Sequence, residues 1–133
     1  MKKIIITVLI TFIASIVVSS VPGYFFYAPH QIVLSGLFPD AVPPIPDFSY
    51  MTLGALFFMI FSVVVFDKMG INNLKSGAIA GIWFALLVFS FFDFTLMGLF
   101  NIVTLEFALV DIAVSGVMGC IQGAVIGWSL GKF

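Results

Sequence analysis

Arginine is absent from this chain, and histidine and cysteine occur once each, as His30 and Cys120. Without arginine there is no planar, bidentate clamp for phosphate or carboxylate. A single cysteine excludes an intrachain disulfide, and its apolar neighbours make Cys120 a free thiol of the packed kind. Metal sites normally take three or four ligands at defined spacing. His30 is therefore only a weak metal candidate, and no metal is assigned. Charge is also scarce, at 8% of residues, where a soluble domain carries roughly 25%. No basic patch exists, which argues against nucleic acid as a partner. No nucleotide loop, nucleophile elbow, zinc-protease helix or haem-attachment motif occurs, so no cofactor is expected and an enzyme is disfavoured.

Apolar residues fill the space that charge leaves. They make up 62% of the 133 residues, more than a small soluble domain can hide, since such domains bury only about 60–70% of their unfolded surface. Four long apolar runs cover residues 4–21, 49–66, 74–97 and 104–130. A helix of roughly 20 apolar residues crosses a hydrocarbon core of about 30 Å. Continuous rather than alternating apolar character excludes a transmembrane β-barrel. The expected fold class is all-α: one domain, a polytopic membrane protein with a bundle of four transmembrane helices.

Met1-Lys2-Lys3 and the apolar run after it resemble a signal peptide, but Val18-Ser19-Ser20-Val21 is a poor small-x-small cleavage site. The run is read as a first helix that stays in place. Pro22-Gly23 should stop it, because proline cannot continue the backbone ladder. Ser49 with Asp47, then Asn72 or Asn73, then Asn101 or Thr104 are the capping candidates for the later helices. Glu106 would sit beside the positive end of the last helix dipole.

Lys2, Lys3, Lys68, Lys75 and Lys132 are the only basic residues. With four crossings all five fall on one side, which the positive-inside rule makes cytoplasmic. Both termini are then inside (N-in/C-in), and a multi-pass protein of a cell inner membrane is expected. Residues 22–48 become the outer segment. It holds all six prolines together with Tyr24, Phe25, Phe26 and Tyr27, and reads as a cap on the bilayer surface with tyrosines at headgroup level. Residues 31–38 are expected to form a short interfacial helix.

Two patterns stand out within the spans. Gly119, Gly123, Gly127 and Gly131 recur every fourth residue, and Gly77, Gly81 and Ala85 do the same on the third helix. Small residues at this spacing let helices approach closely, either inside the bundle or against a homo-oligomeric or foreign membrane partner. The second pattern is Asp93 and Asp111, carboxyls within apolar runs, where charge costs about 2.5–3.5 kcal/mol at a helix centre. The hairpin turn centres near Ile102, with one aspartate nine residues before it and the other nine after. Both should lie at similar depth, and facing each other they would form a proton-holding pair, which Thr95, Glu106 and His30 could join. Asp111, Ser115, Gln122 and Ser129 also fall near one face of the last helix, as a path for protons or solute or as ordinary interhelical hydrogen bonds.

Phe92-Asp93-Phe94-Thr95 and Leu109-Val110-Asp111-Ile112-Ala113 resemble the aromatic-Asp-x-Thr-Asn and Val-Asp-x-x-Trp-Gly motifs of a family of small bacterial membrane proteins of unknown function. Leu96 stands where that family has Asn, and Val114-Ser115 where it has Trp-Gly. The resemblance implies a four-helix membrane fold and marks the same two aspartates. Three functions follow from the residues, in order: an accessory or assembly subunit of a larger membrane complex; a small oligomeric transporter or channel using Asp93 and Asp111; and, last, an intramembrane enzyme.

Overall fold

Apolar side chains leave the backbone no better hydrogen-bond partner in lipid than itself, so each long run closes into a helix. The computed structural model describes residues 1–133. It is all-α: α1 (Lys2–Pro22), a π-helical turn (Gly23–Tyr27), α2 (Ala28–Leu37), α3 (Phe48–Lys68), α4 (Leu74–Leu99) and α5 (Leu105–Lys132). Four helical stretches are long and apolar enough to cross a membrane. Only 23 of 133 residues are buried by the protein itself, which fits a chain whose other apolar faces meet lipid.

The first stretch corrects the sequence reading. Pro22 does not end the helix, which continues through the π turn to Leu37 over 36 residues. The expected outer cap on residues 22–48 is therefore helical over its first half. The helix expected over residues 31–38 is present as α2 (Ala28–Leu37), and it continues α1 through the π turn rather than standing apart from it. The reason is local. A proline removes a donor and crowds the preceding turn, but a widened turn can absorb both in a membrane helix. Here the Gly23 N–H reaches Ser19 O and Ser20 O, and the Ala28 N–H bonds back to Gly23 O, five residues away. At about 1.5 Å per residue the stretch is longer than a bilayer core is thick.

The other boundaries follow their caps. Pro39, Pro43, Pro44 and Pro46 keep the chain non-helical until Asp47, whose Oδ1 accepts from the Ser49 and Tyr50 N–H groups at 3.0 and 3.5 Å. The Gln31 side chain ties this loop to α2 by donating to Pro43 O at 2.7 Å. Gly70 ends α3 at φ 75°, the left-handed conformation that lets the Ile71 N–H reach Phe66 O at 3.1 Å. Asn73 caps α4 by accepting from the Ser76 N–H at 2.9 Å. Thr104 caps α5 by accepting from the Phe107 N–H at 3.2 Å.

The helices alternate in direction. The start of α1 meets the end of α3 through a Lys3–Asp67 ion pair of 2.9 Å, and meets the end of α5 through Thr7 and Ser129. Both termini and the α3–α4 link thus share one end of the bundle, here the lysine end. The opposite end carries the α4–α5 turn and is here the hairpin end. The apolar core, including Val8, Val63, Phe66, Ile71, Ile126 and Leu130, lies toward the lysine end.

α4 and α5 pack closest. A Cβ at Gly81 would fall 1.9 Å from Gly119 O, and one at Gly77 2.1 Å from Gly123 O. A Cβ at Gly127 would meet Asn73 O at 2.2 Å. The two backbones touch, so the glycine stripes of both helices are taken up by each other. α3 packs only through its second half, where Met59, Ser62, Val63 and Phe66 are buried, and its first turns are exposed.

Candidate functional site

The hairpin turn sets the site. α4 carries Asp93 nearly two turns before its end, and α5 carries Asp111 nearly two turns after its start. The antiparallel pairing brings both carboxyls to one depth, as neighbours across the α4–α5 contact. They are 6% and 8% exposed, so water does not solvate them freely. Asp93 Oδ2 has no hydrogen-bond partner. Two carboxylates cannot donate to each other, whereas a proton on either one would turn the contact into an O–H···O bond.

The bent first helix adds a third member. The π turn places Tyr27 over α5, where its hydroxyl donates to Asp111 Oδ1. The Ser115 side chain, one turn further along α5, lies beside the same hydroxyl. An aromatic stack covers the group toward the hairpin end. The His30 and Phe107 rings stack at 4.0 Å between centroids, and Phe26 stacks on Phe107 at 5.4 Å. A π turn is a frequent mark of a functional segment, because it re-aims side chains that a regular helix would point elsewhere.

Beside the cluster lies a cavity of about 1050 Å³, at the upper limit of the roughly 300–1,000 Å³ usual for small-molecule sites. It opens because the first half of α3 stands away from the bundle. Its walls include Phe12, Met51, Phe58, Phe84, Met118 and Gln122, and Tyr27 and Ser115 also line it. The aspartates are not among the lining residues, and Tyr27 contacts both the cavity and Asp111.

The remaining sequence candidates are distributed as follows. Gln122 lies three turns from Asp111 on the same face of α5 and lines the cavity. Glu106 is exposed in the first turn of α5. Its five-residue separation from Asp111 turns it far around the helix, so it does not join the cluster. Thr95 is exposed for the same reason on α4. His30 sits in the aromatic stack, and no group of three or more His, Cys, Asp or Glu side chains comes together. Gly77, Gly81, Gly119, Gly123 and Gly127 form the α4–α5 contact and lie outside the cluster, apart from the cavity edges at Gly81, Gly119 and Gly123.

Sequence reasoning missed Tyr27, because reading Pro22-Gly23 as a stop placed it on the bilayer surface. It also passed over Thr7, Thr11 and Ser15, although polar residues every fourth position of an apolar helix are a visible signal. Thr7 and Thr11 are fully buried, and the Thr7 and Ser129 hydroxyls share a hydrogen bond of 2.8 Å. No family model matches the chain, and neither does any curated protein or solved structure.

Proposed function

We propose that this integral membrane protein is a small transporter or channel in which the Asp93–Asp111 pair holds the transported proton, with Tyr27 fixing Asp111 from above. The observation that supports this reading is the buried carboxyl pair itself. A carboxylate inside a membrane bundle normally pairs with a basic group or marks an ion or proton pathway. The five lysines all lie outside the apolar cores of the spans, so no basic side chain neutralises these aspartates. A shared proton does so at no cost in extra charge.

An accessory or assembly role draws on the small size, the scant extramembrane chemistry, the aromatic outer segment and the glycine stripes. Since α4 and α5 bury those stripes against each other, they offer no free contact face to a partner. On the same reading the lysine end is cytoplasmic, which puts both termini inside and the carboxyl pair nearer the outer surface.

The test is proton flux into liposomes containing the purified protein, read by an enclosed pH-sensitive dye under an imposed membrane potential. Asp93→Asn and Asp111→Asn should each abolish the flux while the protein still elutes as a single monodisperse species. Normal flux in both variants would remove the pair from any transport role.

A further inference from the structure

The carboxyl pair lies near the hairpin end, so a transported proton must also cross the rest of the bundle. α1 and α5 run antiparallel, and two hydrogen bonds fix their register: Thr7 with Ser129, and Tyr27 with Asp111. Thr7 and Tyr27 are 20 residues apart and Ser129 and Asp111 are 18 apart, and the π turn of Gly23–Tyr27 winds in one of the extra residues on the first helix. Counted from the Thr7–Ser129 bond, the antiparallel register sets Thr11 level with Val125 and Ser15 level with Ile121, each next to a residue, Ile126 or Gln122, on the face of α5 that carries Ser129.

Two hydroxyls on this line are buried without a partner. A serine or threonine within a helix usually bonds back to a carbonyl of its own preceding turn. Ser62 does so to Phe58 O at 2.8 Å, and Ser20 to Val17 O at 2.6 Å. Thr11 Oγ1 and Ser15 Oγ are buried and bond to nothing in the protein. Buried polar atoms without a protein partner need water or a ligand to complete them. Lys3, Thr7, Thr11 and Ser15 follow one another at four-residue steps, about 6 Å apart along the axis. That is too far for direct hydrogen bonds, and Thr11 is sealed in the packed structure, so a water that bridges the gap enters only as the α1–α5 contact opens.

We propose that Thr11, Ser15, Gln122 and Ser115 form a hydrated seam between α1 and α5 that carries protons from the Asp93–Asp111 pair to the Thr7–Ser129 bond and out past the Lys3–Asp67 ion pair. This rests on the transport reading and names its route. Each step passes a proton from one water or hydroxyl to the next along hydrogen bonds that the entering water completes, so no oxidant or co-reactant is required. Asp67 is the accepting carboxylate at the lysine end. Gln122 and Ser115 also line the cavity, which places the upper part of the seam along the cavity wall.

The experiment is the same liposome flux assay on Thr11→Val, Ser15→Ala, their double variant and Thr11→Ser, with Ser62→Ala as the back-bonded control. Thr11→Val keeps shape and removes the hydroxyl. The seam requires Thr11→Val and Ser15→Ala each to cut flux about tenfold or more, with the melting temperature held, while Thr11→Ser and Ser62→Ala conduct normally. Wild-type flux in the double variant, with Asp93→Asn still blocked, would overturn the seam and leave the carboxyl pair standing. Flux that persists in Asp93→Asn would overturn the transport reading beneath it. If Thr11→Val does not fold, the smaller Ser15→Ala decides alone.

Discussion

Adding one methyl group at Gly81 tests the close approach of α4 to α5. A Cβ there would lie 1.9 Å from Gly119 O, 2.8 Å from Gly119 C and 3.0 Å from Gly123 Cα. All three are backbone atoms, so no side chain can rotate away. Ordinary contact begins near 3.4 Å, and α4 and α5 would have to separate by roughly 1.5 Å in an interior that tolerates no such gap. Overpacking typically costs about 1–3 kcal/mol, and a clash of backbone on backbone belongs at the upper end, near 3 kcal/mol. The control is Gly98→Ala on the same helix, where a Cβ meets no atom within 4 Å. There alanine removes backbone freedom without a clash and should be neutral or stabilising by about 0.5–1 kcal/mol. Both variants can be heated in mild detergent and followed by loss of the monodisperse chromatographic peak. Gly81→Ala should melt well below wild type and Gly98→Ala at or above it. Equal melting of the two would refute the intimate α4–α5 contact.

Three other perturbations have expected outcomes. Thr7→Val leaves the buried Ser129 hydroxyl unpaired and should lower thermal stability by about 0.6–1.7 kcal/mol, the range of interhelical hydrogen bonds in membrane bundles; the double variant with Ser129→Ala should recover part of the loss. Asp47→Ala removes the side chain that caps α3 and should cost about 0.5–2 kcal/mol, seen as faster amide exchange at Ser49 and Tyr50. Pro22→Ala should allow a regular α-helical turn and rotate Tyr27 off Asp111; a changed tyrosine ultraviolet signature would show it, and an unchanged one would mean the π turn does not depend on the proline.

The four spans were legible in the sequence because lipid imposes a length and a continuous apolar character that few other structures share. Asp93 and Asp111 were placed at one depth by counting residues from the hairpin turn, a length argument that needs no side-chain information. Tyr27 was not legible. Its position depends on whether Pro22 stops the helix or is absorbed by a π turn, and a membrane helix can re-satisfy its backbone either way. The glycine stripes announced close helix contact, but small residues do not encode which helix answers them. The cavity was also hidden, since it arises from the outward lean of half of α3, a tertiary feature without a local signal.

The claim on which the site depends is that the first helix runs past Pro22 and sets Tyr27 on Asp111. In a Cys120→Ser background, Tyr27→Cys combined with Asp111→Cys can be treated with a short bifunctional thiol reagent, long enough to replace the lost tyrosine ring. The continuous, bent helix predicts efficient crosslinking of this pair, read as a shifted band after cleavage of the chain between α2 and α3. Two cysteines that each react singly with a thiol label but do not crosslink would contradict it, and would return Tyr27 to the bilayer surface.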